Sequence, residues 1–149
     1  MAAEGRAVQA DLTVSLYLYE PHWAVRQAMI SRLKAVPGLR LLGASGGVVQ
    51  AAREIKALKP QVLVAALSPQ KDLPQELAAL CRDEQGPWLI ALDVYWDERR
   101  QEKVEKDLGG RYLLKGLPWD SLVDAIWSVV QTLKTSGERA PRKYGFPTG

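Results

Sequence analysis

The sequence predicts an α/β fold built on a doubly wound parallel sheet, and three observations carry that expectation. Short apolar runs alternate with helix-length segments five times along the chain. The turns between them are short. The third is the run Val62-Leu-Val-Ala-Ala-Leu67, which is apolar throughout and bracketed by Pro60 and Pro69. A strand apolar on both faces belongs at the centre of a sheet covered on both sides. Five strand-then-helix repeats call for parallel strands joined by right-handed crossovers, because antiparallel neighbours need no helix between them.

Each element follows from its local pattern. Residues 1–12 mix small and charged side chains without periodicity and are read as a flexible N-terminal arm. Thr13 to Tyr19 alternates and is rich in β-branched and aromatic residues, a strand signature. Pro21 is well placed to open a helix, and Val25, Met29, Leu33 and Val36 recur at helical spacing until Pro37-Gly38 stops them. Leu39 to Ala44 is a second strand, closed by Ser45-Gly46-Gly47, and Val48 to Leu58 returns to helical spacing. After the central run, Leu73 to Arg82 reads as a third helix and Trp88 to Leu92 as a fourth strand. Asp97 to Leu108 reads as a markedly polar fourth helix, broken by Gly109-Gly110. Tyr112 to Leu114 is the fifth strand. Pro118 opens a last helix to about Lys134, with Leu122, Val123, Ile126, Trp127, Val130 and Leu133 on one broad apolar face. The domain is therefore expected over residues 13–134, with 135–149 as a mobile C-terminal tail that lacks periodicity.

Composition narrows the function classes. The chain has 149 residues, 47% of them hydrophobic and 25% charged, which is ordinary for one globular domain large enough to close its own core. No apolar run reaches the ~18 residues of a spanning helix, and the first residues lack a secretory signal's apolar core, so a cytoplasmic, non-membrane protein is expected. The lone Cys81 and lone His22 allow no disulfide and no His- or Cys-rich metal site. Cys81 is read as a small buried residue, and His22 as a structural residue of the strand-to-helix turn. Part of the net charge of +3 lies in the tail, at Arg139, Arg142 and Lys143; so small an excess gives no expectation of direct nucleic-acid binding. The glycine pairs do not make a dinucleotide fingerprint, and no phosphate-binding loop, Gly-x-Ser-x-Gly or His-Glu-x-x-His motif is present. No cofactor, metal or catalytic residue is expected.

In a doubly wound sheet, reacting groups gather at the carboxyl ends of the strands. Those ends carry Tyr19-Glu20, Ala66-Leu67-Ser68, Leu92-Asp93 and Lys115. The stretch Leu16 to Val130 resembles the CheY-like receiver domain of DNA-binding response regulators. Leu16-Tyr-Leu-Tyr-Glu-Pro-His22 is similar to the family's first strand with its acidic pair. Lys59-Pro-Gln-Val-Leu-Val-Ala-Ala-Leu67 is similar to the strand that ends in the phosphate acceptor, and Arg111-Tyr-Leu-Leu-Lys115 to the strand that ends in the family's lysine. The resemblance implies the flavodoxin-like strand order 2-1-3-4-5 and a place in two-component signalling.

It also implies a degenerate phosphorylation site. The acidic pair falls on Tyr19 and Glu20, the acceptor on Ala66, and the Ser/Thr sensor on Leu92 or Asp93. Only Lys115 matches. A methyl group is no nucleophile, and a single carboxylate is a poor magnesium site. With no phosphate to meet, Lys115 is expected either to pair with Glu20 and Asp93, locking the cleft, or to stand solvated at the strand end. Ser68 is read as a turn residue, since nothing beside it in sequence would activate its hydroxyl.

The aromatic residues suggest where contacts form. Trp88 and Trp127 are read as core-filling, and Trp96 and Trp119 as partly exposed. In receivers the face of helix four, strand five and helix five is the usual output or dimerisation surface. Here it would carry Trp96, Tyr112, Trp119, Ile126 and Trp127, for a protein partner or a homodimer. The leading expectation is a phosphorylation-independent receiver-like signalling module without enzymatic activity. Two alternatives stand beside it: a small-molecule sensor using the strand-end crevice, and the regulatory half of a DNA-binding response regulator.

Overall fold

The computed structural model describes residues 13–136. The predicted arm, the tail cations Arg139, Arg142 and Lys143, and the side chains of Val130 and Leu133 lie outside the described residues. Five strands, β1 (Val14–Tyr19), β2 (Leu39–Ser45), β3 (Val62–Ala66), β4 (Trp88–Asp93) and β5 (Arg111–Leu114), alternate with five helices. These are α1 (Trp23–Lys34), α2 (Val48–Leu58), α3 (Gln75–Arg82), α4 (Glu98–Glu102, continuing as a π-helical turn over Lys103–Asp107) and α5 (Trp119–Ser136). All neighbouring strands pair parallel, in the order β2-β1-β3-β4-β5. This is the CheY-like order that the resemblance implied.

Strand alternation sorts the core into two layers. Val14, Leu16, Leu18, Val62, Val64, Ile90 and Leu92 face α1 and α5, where they meet Met29, Leu33, Leu122 and Ile126. Tyr17, Tyr19, Leu63, Ala65, Leu89, Ala91 and Tyr112 face the other way, onto Ala51, Ile55, Leu77, Cys81, Val104 and Leu108. β3 is buried along its whole length, as a central strand covered on both faces must be. β1 and β2 slip register once, between Leu16 and Tyr17, where Leu16 faces Leu41 but Tyr17 faces Gly43. The slip seats Gly43 beneath the Tyr17 ring, where an added Cβ would come within 2.9 Å of the ring edge. The Tyr17 hydroxyl in turn donates to Glu54 Oε1 of α2 at 2.6 Å.

Several helix boundaries differ from the sequence expectation. Pro21 lies outside α1, because His22 caps the helix and its Nδ1 accepts from the Val25 N–H. α3 starts at Gln75, since Pro74 keeps Leu73 out of helical conformation. α5 is helical through Ser136, the last described residue, past the expected end near Lys134. The fourth helix stays regular for only five residues before widening into the π-helical turn. Gly109 follows it with φ 68°, and Gly110 packs so close to Leu89 O that no side chain fits. Among the described residues, no helix is long and apolar enough to cross a membrane.

Candidate functional site at the strand ends

Strand register brings the predicted residues to one edge of the sheet. Tyr19 is paired with Ala65, Ala66 with Leu92, and Asp93 with Leu114. Glu20, Ala66, Asp93 and Lys115 therefore sit side by side at the carboxyl ends. Ala66 and Leu92 are both only 4% exposed and present nothing but hydrocarbon there.

The polar residues divide into two closed groups. In the first, Lys115 Nζ donates to Glu20 Oε1 at 2.8 Å, and the backbone N–H of His22 donates to Glu20 Oε2 at 3.0 Å. Arg26 holds the Glu20 carbonyl at 2.8 Å, which fixes the turn from β1 into α1. Glu20 is buried and Lys115 half-buried, so each oxygen of the carboxylate has its own donor and the charge has its counter-ion. The expected pairing of Lys115 with Glu20 is what the structure contains. Lys115 and Asp93 meet only through backbone, Lys115 N–H donating to Asp93 O.

The second group belongs to Asp93, and its central member was not foreseen. Arg100 Nη1 donates to both Asp93 oxygens at 3.1 Å, Nε to Asp72 at 2.9 Å, and Nη2 to the Pro69 carbonyl at 3.2 Å. Tyr112 donates its phenolic hydrogen to Asp93 Oδ2 at 2.6 Å and accepts from the Asp97 N–H at 2.9 Å. The Val94 N–H completes the set on Asp93 Oδ1. Asp97 starts the chain of causes: it caps α4 by accepting from the Arg99 and Arg100 N–H groups, and that first turn swings Arg100 inward. The β3–α3 and β4–α4 loops are thereby tied together through one guanidinium.

Electrostatics follow the geometry. Burial opposes the Arg100 charge, but the Asp93 and Asp72 carboxylates more than offset it and hold its pKa above the ordinary arginine value. Burial, then the hydrogen bond to Asp93, pushes the Tyr112 phenol up to about 12. A neutral phenol favoured in this way contributes stability that is complete below pH 10 and is lost as the pH rises through about 12. We expect the unfolding midpoint to fall across that window, with a phenolate absorbance step that Tyr112→Phe removes. If the step that Tyr112→Phe removes instead lay at the ordinary tyrosine value, the Asp93 bond would be contradicted.

The aromatic face is only partly as expected. Trp96 is exposed, and its ring meets Tyr112 edge-on at 5.0 Å. Trp119 and Trp127 are half-buried, packed with Trp88 against the α1/α5 layer. Tyr112 and Ile126, placed on the contact face from sequence, are buried. Tyr112 points inward because β5 alternates it onto the α2/α3/α4 side, and Ile126 because it lies on the stripe of α5 that meets the sheet. Val94 and Tyr95, beside Trp96, are exposed instead. Ser68 is a turn residue, its hydroxyl accepting from the Lys71 N–H.

Magnesium, which receivers bind at their acidic pair, does not fit these residues. On the matching that the resemblance implies, Tyr19 would take one position of that pair, and both oxygens of Glu20 already have donors. Among the described residues, no three His, Cys, Asp or Glu side chains come together in a way that could hold a metal ion.

The fold is the CheY-like one, and among solved structures it is shared with receiver domains of response regulators. Among solved structures, the chain is similar to a LuxR-family two-component response regulator from Aurantimonas sp. SI85-9A1, at 18% identity and TM-score 0.70, covering 85% of this chain and 88% of that one. It is also similar to a LuxR-family DNA-binding response regulator from Staphylococcus aureus, at 21% identity and TM-score 0.66, covering 78% and 98%. A signal receiver domain of an HD domain-containing protein from Pseudomonas fluorescens Pf-5 aligns at 20% identity and TM-score 0.70, covering 83% and 98%. No protein-family profile matches the chain, and no curated protein sequence does. Likeness at these identities establishes the fold.

Proposed function

We propose that the chain is a cytoplasmic, receiver-type signalling module that works without phosphorylation, through protein–protein contact. The observation that carries this reading is the state of the strand ends. By the sequence resemblance Ala66 falls at the acceptor position of a receiver, and the charged groups at the strand ends around it are satisfied by one another. Among the described residues at the strand ends, neither an unengaged nucleophile nor a metal-binding pair remains for phosphoryl transfer. Such a module supplies a preset shape rather than a switched one. The α4–β5–α5 side, with Trp96, Tyr95 and Val94 exposed and Trp119 and Trp127 partly so, is the surface a protein partner or a second copy would use.

Beryllofluoride, which mimics an aspartyl phosphate, tests the reading. Added with magnesium to the isotope-labelled chain, it is expected to leave the amide spectrum unchanged. Saturable shifts clustered around Glu20, Ala66 and Lys115 would return the protein to the phosphorelay class.

A further inference from the structure

We infer that the cleft between α1 and α5 is a binding site for a small monocarboxylate with an apolar body. The cleft has a volume of about 260 Å³ and lies beside the strand-end site, over the edge formed by β4 and β5. Met29, Leu92, Leu122 and Trp119 are among the residues that line it. That volume falls just under the ~300–1,000 Å³ of typical small-ligand clefts, so it admits one ring or a short chain with one polar group.

Charge selects the polar group. Two cations, Arg32 and Lys115, line the cleft, and no carboxylate does. Lys115 is already matched by Glu20 at 2.8 Å, whereas Arg32 makes no ion pair among the described residues. The Arg32 guanidinium instead lies 4.3 Å from the centre of the Trp119 ring. Stacking of this kind holds the cation in place while its edge N–H groups stay available to a carboxylate. The first turn of the 18-residue α5 borders the same space and adds the positive end of its dipole. Asp120 in that turn is exposed and does not line the cleft. One uncompensated cation over apolar walls matches one negative charge on an apolar body. It matches a dianionic phosphate or an uncharged apolar molecule less well.

Phenylacetate is the probe, with phenylacetamide as its uncharged counterpart, titrated into the full isotope-labelled chain. Phenylacetate is expected to give saturable shifts at the Leu92, Lys115 and Leu122 amides and at the Trp119 indole. Binding should be about tenfold weaker for phenylacetamide, and about tenfold weaker for phenylacetate with Arg32→Gln. It should be lost in Ala28→Trp, which places an indole in the cleft from an exposed position of α1. Equal affinity for acid and amide overturns the inference, as do scattered or non-saturating shifts, or shifts that persist in Ala28→Trp. Should Ala28→Trp fail to fold, the acid–amide and Arg32→Gln comparisons decide it by themselves.

Discussion

Replacing Arg100 by methionine is expected to lower the unfolding midpoint by about 10 °C or more, the largest effect of any single change at the strand ends. Asp93 is 2% exposed, and Arg100 is its only ionic partner among the described residues. Methionine preserves much of the side-chain volume but leaves the carboxylate buried beside a neutral group, a loss of about 3–5 kcal/mol. In a domain of this size each kcal/mol moves the midpoint by about 2–8 °C. The contacts to Asp72 and Pro69 vanish too, so the β3–α3 loop should also loosen. Pairing Arg100→Met with Asp93→Asn separates the two causes: the double variant should recover a good part of the loss, since no orphan charge remains. A double variant as unstable as the sum of the singles would show that Arg100 acts through packing alone.

Lys115→Met should have the second largest effect. Glu20 would keep only the His22 N–H at 3.0 Å and lose its cation. An under-satisfied buried carboxylate costs about 1–3 kcal/mol. The loss should stay below that for Arg100, because Lys115 is 27% exposed and water can reach the gap it leaves. Glu20→Gln in the same background should restore most of the midpoint. An unchanged midpoint in Lys115→Met would mean that the pair does not lock the cleft, and that the lysine is a bystander at the strand end.

Much of the fold was legible in the sequence because its periodicities are clean. The unbroken apolar run of β3 marked a central strand, and spacings of three and four marked α1, α2 and α5. What failed was local chemistry that competes with pattern. His22 as a cap displaced Pro21 from the first turn. The π-helical turn in α4 was invisible, since its residues are as polar as a regular solvent-facing helix would be. The site was half legible. Glu20 and Lys115 stand at the ends of recognisable strands, so their meeting could be anticipated. Arg100 could not be singled out from Arg99, because which of two adjacent arginines turns inward depends on where Asp97 caps the helix. A buried aspartate at the end of an apolar strand does demand a cation, and that demand was the one available signal. Tyr112 and Ile126 were misplaced onto the surface because a contact face was assigned by element, whereas burial is decided residue by residue.

The register slip at Tyr17 bears on how copies of this chain behave when crowded. β2 is an outer strand of the sheet, and a straight outer strand offers its free peptide groups as a template to any passing chain. The additional residue between Leu41 and Gly43 breaks the even spacing of those groups midway along the strand and increases its twist. A neighbour adding itself edge-on would find matching donors and acceptors for only about half the strand's length. The same irregularity that seats one tyrosine against a glycine thus discourages fibre growth from that side of the molecule.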